Sequence, residues 1–202
     1  RYTLHGMLTR LAVDFIDLGD VPDDRDRIRE TLLQAANMAD VVITSAGASV
    51  GDADYVKDIL DEIAQVNFWK LAMKPGRPLS FGRIGEAFFF GLPGNPVSVM
   101  VTFYQFVLPA LRRLMGEKSC EPLRLPARAL NRLKKKPGRT EYQRGYLVQD
   151  EHGELTVSTT GDQGSGVLSS MSQANCFIVL EMDSMGAQAG ETVTVEPFAG
   201  LV

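Results

Sequence analysis

The residue pattern of the chain changes abruptly near Gly116, and this change limits the possible folds more than any other feature. Before it, segments with apolar residues at helical spacing alternate with short apolar runs that are typical of buried strands. After it, short β-type segments are separated by turn sequences such as "DEHGE" and "AGE". The pattern predicts an α/β domain over residues 1–117, with a mostly parallel sheet covered by helices, and a small all-β domain, a barrel or a sandwich, over residues 118–202.

The first part of the chain is predicted in more detail from its apolar spacing. Helices are expected around Leu4 to Leu11, after Asp23 and Asp24, and from Val56 to Ile63. Buried strands are expected at "VDFIDLG" (residues 13–19), "ADVVITSAG" and "EAFFFGL", with extended segments at "VNFWKLAM" and "PLSFGRIG". In an open α/β sheet of this kind, ligands bind where loops leave the carboxyl ends of the strands.

Composition and charge exclude several classes of protein. The 202 residues carry a formal net charge of -4, which argues against a general nucleic-acid binder because neutralising phosphates takes a basic surface. The basic run "RLKKKPGR" (residues 132–139) is predicted to be a solvated loop. The two cysteines lack metal-like or disulfide-like spacing, which favours the cytoplasm, and no apolar stretch is long enough to span a membrane.

The sequence "LPGNP" lies between an apolar strand and an apolar helix. Asn95 can cap that helix, and Pro96 suits its first position, where a missing N–H costs nothing. The N–H groups of Val97 and Ser98, next to Gly94, would then face an anion. An ordinary capped turn explains the same residues equally well. The helix itself, from Val97 to Leu114, is expected to kink or divide at Pro109.

The sequence "FWKLAMKPGRP" predicts two cations that point the same way. In an extended strand Lys70, Ala72 and Lys74 share one face, so the two ammonium groups would suit a multiply charged anion. A strand that simply faces solvent is the alternative.

Four carboxylates occur in the neighbouring loops, at Asp23, Asp24, Asp52 and Asp54. Carboxylates close to phosphates are the usual way to hold hydrated Mg²⁺, although Asp54 could equally be a helix cap.

Together, the sequences "TSAGASVGDADY", "FWKLAMKPGRP", "GLPGNPVS", "PGRTEYQRG" and "TTGDQGSGVLSSMSQANCFIVL" closely resemble the molybdopterin molybdenumtransferase family, MoeA in bacteria and the gephyrin E domain in animals. The resemblance covers nearly the whole chain. It implies a molybdopterin-binding α/β fold followed by a β-barrel. It also implies insertion of molybdate into adenylylated molybdopterin, with Mg²⁺ and release of AMP.

The resemblance also implies which residues form the site. Active-site positions are matched by Asp23, Asp54, Lys70, Lys74, Pro93 and Pro96, with Asp54 as the metal ligand, and Gly94 and Ser98 belong to the same turn. Molybdate-binding positions are matched by Ser45, Arg144 and Ser170. The family usually has two glycines where this chain has Ala46 and Gly47, so the binding loop is expected to be stiffer.

Family members carry two further domains upstream and form homodimers, in which the partner subunit completes the cleft. The resemblance therefore implies a C-terminal portion that holds about half of each site and is inactive alone. Two alternative functions stay open: a molybdopterin adenylyltransferase-like enzyme, and a non-catalytic scaffold of the gephyrin type. No membrane or nucleic-acid partner is expected, only a small-molecule substrate.

Overall fold

The structure is a computed structural model and describes residues 1–45 and 55–198. It contains two compact units. The first, here called the α/β unit, comprises Arg1–Leu71 and Gly76–Val107. The second, called the barrel unit, comprises Ala72–Pro75 and Leu108–Val202. The boundary between residues 117 and 118 stays a prediction.

The α/β unit contains a four-stranded sheet in the order β1-β5-β4-β2. Its strands are β1 (Val41–Thr44), β2 (Gln65–Lys70), β4 (Pro78–Ile84) and β5 (Ala87–Gly91). The short strand β3 (Met73–Lys74) belongs to the barrel unit. β1 and β5 are parallel, while β4 runs antiparallel to both β5 and β2. The predicted fold class is confirmed, with a mixed sheet among the described strands.

Two helices cover one face of this sheet, α2 (Arg25–Met38) and α3 (Tyr55–Ile63). Residues at helical spacing, among them Ile28, Leu32 and Ile59, pack against alternate strand residues such as Val42 and Phe89. The remaining helices of the unit are α1 (Tyr2–Leu8) and α4 (Pro96–Thr102). The apolar spacing thus forms a core because it places side chains from helices and strands on facing surfaces.

The strand predicted at residues 13–19 is wrong. These residues have no regular secondary structure, and Ile16 and Leu18 are 55% and 40% exposed. An apolar run becomes a strand only when a neighbouring strand accepts and donates its backbone hydrogen bonds. Among the described residues, β1 at this end of the sheet pairs only with β5.

The helical run after "LPGNP" is divided as predicted. It consists of α4, a π-helical segment at Phe103–Val107 and α5 (Leu108–Leu114). Pro109 cannot donate a backbone hydrogen bond to the preceding turn, and the wider π turn lies immediately before it. Within residues 1–45 and 55–198, no helix is both long and apolar enough to cross a membrane.

The barrel unit is built around a closed sheet of five strands, as predicted. Neighbouring strands pair in the cycle β10-β12-β6-β9-β8-β10, and β3 pairs in parallel with the first two residues of β8. The five strands are β6 (Leu125–Ala129), β8 (Thr140–Gln149), β9 (Leu155–Thr159), β10 (Cys176–Leu180) and β12 (Thr192–Pro197). A separate pair joins β7 (Leu133–Lys134) to β11 (Gly186–Ala187), and a short helix α6 (Ser169–Ser172) precedes β10.

The barrel interior is filled by small and branched residues, including Ala127, Val157, Ile178 and Val195. A Cβ added to Gly145 would lie 2.8 Å from Ile178 Cγ1 and 2.9 Å from Cys176 Sγ, so the core leaves no room for one. Since Gly145 pairs with Cys176 and side chains alternate along a strand, residues 141, 143 and 145 of β8 face the core.

Candidate active site

The turn between β5 and α4 contains four of the predicted site residues. Pro93 is buried, whereas Gly94 and Pro96 are exposed. Asn95 occupies the N-cap position and Pro96 begins the helix, as predicted, but the Asn95 side chain makes no capping hydrogen bond. Ser98 is buried in the first turn of the helix. The turn therefore offers an exposed backbone at Gly94, and Ser98 lies beneath it.

The loop after β1 is the second predicted binding segment. Ser45 directly follows the carboxyl end of this strand and is half-buried. The predicted residues Gly47 and Asp54 lie outside the described residues, as do Ala46 and Asp52.

Asp23 and Asp24 are neighbours with different surroundings. Asp24 caps α2, as predicted, because its Oδ1 accepts a hydrogen bond of 2.9 Å from the Arg27 N–H. Asp23 is exposed and has no hydrogen-bond or ion-pair partner among the described residues. Within residues 1–45 and 55–198, no group of three or more histidine, cysteine or acidic side chains could hold a metal ion. Of the pair Asp23 and Asp24, only Asp23 therefore has a carboxylate that no described residue binds and that Mg²⁺ could use.

Lys70 and Lys74 do not belong to one strand, so the prediction that they share its face is wrong. β2 ends at Lys70, and the Leu71 N–H then donates a 2.7 Å hydrogen bond to the Arg77 carbonyl. Lys74 instead pairs with Glu141 of β8 in the barrel sheet. The alternating pattern of "KLAMK" could not reveal that the chain leaves one sheet and joins another within four residues. Lys70 is exposed and has no polar partner within the described part of the chain.

Lys74 forms an ion pair inside the barrel unit. Its Nζ lies 3.2 Å from Glu141 Oε1, with the lysine side chain 45% exposed and the glutamate side chain 8% exposed. The second oxygen, Glu141 Oε2, accepts a 3.1 Å hydrogen bond from Gln143 Nε2, which also donates to the Lys134 carbonyl. Glu141 and Gln143 therefore connect a half-exposed ammonium to the barrel interior.

The Arg144 side chain holds the segment from residue 161 to 170. Its Nε donates to Ser170 Oγ at 3.0 Å, and its Nη2 donates to the carbonyls of Gly164 at 3.1 Å and Asp162 at 3.4 Å. Ser170 Oγ in turn donates to the Val167 carbonyl at 2.6 Å. The structure thus brings the predicted residues Arg144 and Ser170 together.

The guanidinium of Arg144 is buried, and none of its hydrogen-bond acceptors among the described residues is a carboxylate. The residue is 1% exposed, and burial lowers its pKa from the ordinary value, while the nearby charge of Asp162 acts in the opposite direction. Arg144 pairs with Phe177, so it lies on the outer face of β8, whereas Glu141 lies on the core face. Arg144 and Lys74 are therefore not joined in one group by the barrel.

Sequence reasoning missed three polar residues in the barrel interior or at its end. Glu141 and Gln143 alternate with Tyr142 and were not singled out, because polar residues in a strand usually face solvent. Both lie an even number of residues from Leu147, which packs on the core, and this spacing along the strand was the available signal. Lys135 contradicts the solvated-loop prediction for residues 132–139, because it is buried and donates to the carbonyls of Lys136, Met182 and Ser184.

Two family models match the chain. Residues 1–113 match a probable molybdopterin binding domain, and residues 126–198 match the MoeA C-terminal region, domain IV. The chain belongs to the MoeA family. The order of the two matches, one in each half of the chain, agrees with the α/β fold and the barrel described above.

MoeA relatives are similar over most of this chain. A molybdopterin molybdenumtransferase of Haemophilus influenzae is 46% identical over all of it, and a gephyrin of Dictyostelium discoideum is 37% identical over 87% of it. The chain covers 50% and 28% of those two proteins, so it spans about half the length of the former. A solved MoeA structure from Pyrococcus horikoshii matches with a TM-score of 0.78 and 27% identity, over 98% of this chain and 47% of that one.

Proposed function

We propose that the protein to which this chain belongs inserts molybdate into adenylylated molybdopterin with release of AMP, as a step of molybdenum cofactor biosynthesis. The observation that carries the proposal is the Lys74 ammonium, which is half-exposed and lies 3.2 Å from Glu141 Oε1. Support comes from the match of residues 126–198 to MoeA domain IV and from relatives named as molybdopterin molybdenumtransferases.

The chemistry of this reaction asks for cations that are open to ligands. Molybdate is a dianion, and the second substrate carries a phosphoanhydride. Lys70 and Lys74 are exposed cations, and Lys70 has no competing polar partner within the described residues. Each N–H of an ammonium can donate a charge-assisted hydrogen bond to an oxyanion. In the proposal these lysines hold the anionic groups of the substrates and neutralise their charge.

The turn at Pro93, Gly94 and Pro96 is proposed to form part of the pterin-phosphate site. Gly94 is exposed, and nothing lies within 4 Å of where its Cβ would be, so a ligand can approach the backbone closely. Ser98 supports the turn from its buried position, and Ser45 and Gly47 belong to the same predicted binding set.

Arg144 and Ser170 are proposed to act on molybdate through the segment they hold. Because the guanidinium is buried and donates to neutral oxygens, it keeps a positive charge that none of its acceptors cancels. That charge favours an anion near residues 161–170, and the nearby carboxylate of Asp162 in the same segment offsets part of it. In the proposal Arg144 and Ser170 serve molybdate binding, with Arg144 as the residue that fixes the segment.

Mg²⁺ is proposed as the metal, with Asp54 as its ligand and Asp23 as an additional carboxylate. Mg²⁺ keeps several waters and binds through one or two carboxylates together with phosphate oxygens. Asp23 fits this need because it is exposed and unpaired among the described residues. When bound, the ion would offset negative charge on the phosphoanhydride.

The proposal includes a cytoplasmic homodimer that acts on small molecules. A molybdopterin adenylyltransferase is a less satisfactory function, because residues 126–198 match the C-terminal region of MoeA.

The test uses the complete protein with adenylylated molybdopterin, molybdate and Mg²⁺, and measures AMP release. Lys74→Ala should lower substrate binding or molybdate transfer at least tenfold, because a charge-assisted hydrogen bond to a dianion contributes about 1.5 to 3 kcal/mol. Lys118→Ala is the matched control, since Lys118 is an exposed lysine of the same unit. Equal activity of the two variants would refute the site.

A further inference from the structure

The buried carboxylate of Glu141 lies next to Lys74 and has no direct role in the proposed reaction. Glu141 belongs to β8, and its Cα is paired with that of Lys74 across the β3–β8 ladder. Its side chain faces the barrel core, where an ionised group is costly unless it is paired and hydrogen-bonded. A carboxylate in this environment therefore calls for an explanation.

Both oxygens of Glu141 have a defined partner. Oε1 accepts from Lys74 Nζ at 3.2 Å, and Oε2 accepts from Gln143 Nε2 at 3.1 Å. Gln143 is itself fixed, because the same amide nitrogen donates to the Lys134 carbonyl at 2.8 Å. The Glu141 carboxylate thus binds Gln143 through one oxygen and the Lys74 ammonium through the other.

The backbone around Lys74 is fixed in the same way. The Thr140 N–H donates to the Ala72 carbonyl at 2.9 Å, and Met73, which is buried, pairs with Thr140. Both ends of the lysine side chain are therefore restrained, the Cα by the ladder and Nζ by Glu141. Among the described residues, one of its three N–H groups has an acceptor, and the exposed side of the ammonium can offer the others to a ligand.

We propose that Glu141 is a positioning residue for Lys74, which it holds in the direction needed by the anionic substrate. This inference rests on the proposed function. An ordered lysine loses less rotamer freedom when the anion arrives, so its interaction is available at the transition state without rearrangement. The negative charge of Glu141 acts in the opposite direction, because it weakens the attraction between Lys74 and an anion.

Two substitutions separate these effects. Glu141→Gln removes the charge and turns one oxygen into an amide donor, so either Lys74 or Gln143 loses its acceptor. Glu141→Asp keeps the charge but withdraws it from Lys74 by one methylene group. If positioning dominates, both variants lower kcat for AMP release about tenfold. If charge dominates, Glu141→Gln binds molybdate more tightly with an unchanged kcat, and the inference is overturned.

Glu196→Gln is the matched control. Glu196 is the other buried carboxylate that forms an ion pair in the barrel, 2% exposed and 3.0 Å from Arg124 Nε. Its substitution should leave kcat within twofold of the wild type. A tenfold loss in this control would mean that any buried charge change damages the barrel, and Glu141 would have no special role.

A double-mutant cycle tests whether Glu141 acts through Lys74. In the Lys74→Ala background, Glu141→Gln should cause no further loss of kcat, whereas additive losses would overturn the inference. A second readout needs no turnover: NMR relaxation of ¹³Cε-labelled lysine in the complete protein should show greater mobility of Lys74 in both Glu141 variants. Unchanged mobility would also overturn it.

The two proposals fail in different ways. If Lys74→Ala has full activity, the proposed function of Lys74 is wrong, whatever Glu141 does. If Lys74→Ala is impaired and both Glu141 variants keep the wild-type kcat, only the positioning role is wrong. Glu141→Asp keeps a carboxylate in the barrel interior, so the test remains decisive if Glu141→Gln fails to fold.

Discussion

In the barrel unit, Arg144, Lys135 and Glu196 are buried and bound to protein groups, whereas in the α/β unit Lys70 and Asp23 are exposed and unpaired among the described residues. Buried charges that bind protein atoms specify the local structure, because leaving such a group unpaired costs free energy. Exposed charges without partners add little to stability and remain available to ligands. In the proposal, Lys70 and Asp23 therefore bind substrate or metal, while Arg144, Lys135 and Glu196 hold the structure of the barrel unit.

The largest expected effect comes from removing the buried guanidinium. Arg144→Met should lower the free energy of unfolding of the barrel by about 3 kcal/mol, because hydrogen bonds from a charged donor to Ser170 and Gly164 are lost. Hydrogen exchange of the β10 amides measures this change. Arg128→Met, at an exposed ion pair with Glu154, is the control and should have a much smaller effect. Equal losses would contradict the comparison.

Lys70→Met should weaken substrate binding and leave stability unchanged, which is the opposite of the effect expected for Arg144→Met. We expect about tenfold weaker binding of adenylylated molybdopterin to the complete protein, equivalent to ~1.4 kcal/mol. The stability should be unchanged, since Lys70 binds no described protein group. Titration calorimetry gives the affinity, and Lys57→Met, which removes a half-exposed lysine of the same unit that pairs with Asp61, serves as control for binding. A loss of stability without a loss of affinity would assign Lys70 to the structural class.

The neighbours Asp23 and Asp24 sharpen the comparison within one segment. Asp24→Ala should lower the free energy of unfolding by about 1 kcal/mol, because the N-cap of α2 is lost. Asp23→Ala should leave stability unchanged and raise the Mg²⁺ concentration that AMP release requires. Thermal unfolding and a Mg²⁺ titration of both variants distinguish the two roles. If the two variants exchange these phenotypes, the assignment is wrong.

The smallest effect at neutral pH concerns Tyr142. Burial and, second, the charge of Glu196 raise the pKa of Tyr142 to about 12. Since this exceeds the ordinary value of about 10, folding favours the neutral phenol. The resulting stabilisation is complete below about pH 10 and is lost as the pH rises towards about 12. The ultraviolet titration difference between wild type and Tyr142→Phe should have its midpoint near pH 12, and a midpoint near 10 would contradict the burial argument.

Most elements of the fold could be predicted, because apolar spacing reports which face of an element is buried. The spacing of Ile28 and Leu32, for example, correctly indicated α2. The short β-type segments after residue 123 indicated the all-β domain that forms the barrel. The strand at residues 13–19 could not be excluded from its own residues. Whether an apolar run becomes a strand depends on a pairing partner elsewhere in the chain.

The candidate site was less accessible to sequence reasoning. The motifs named Lys74, Arg144 and Ser170, and the structure brings the last two together. The partner of Lys74 could not be predicted, because the chain leaves the four-stranded sheet after Lys70 and β3 then pairs with β8 in the barrel sheet. The predictions for Gly47 and Asp54 remain predictions, since these residues lie outside the described part of the chain.

The environment of Lys135 has a consequence for chemical labelling. Lys135 Nζ donates to three backbone carbonyls, those of Lys136 at 3.2 Å, Met182 at 2.9 Å and Ser184 at 2.9 Å. Each of its three N–H groups can therefore have an acceptor. Its neighbours Lys134 and Lys136 are exposed. An amine-acylating reagent should therefore modify the two outer lysines of "KKK" and spare the middle one until the barrel opens. One peptide then carries both a reference signal and a reporter, and the delay in labelling Lys135 times the opening of that end of the barrel.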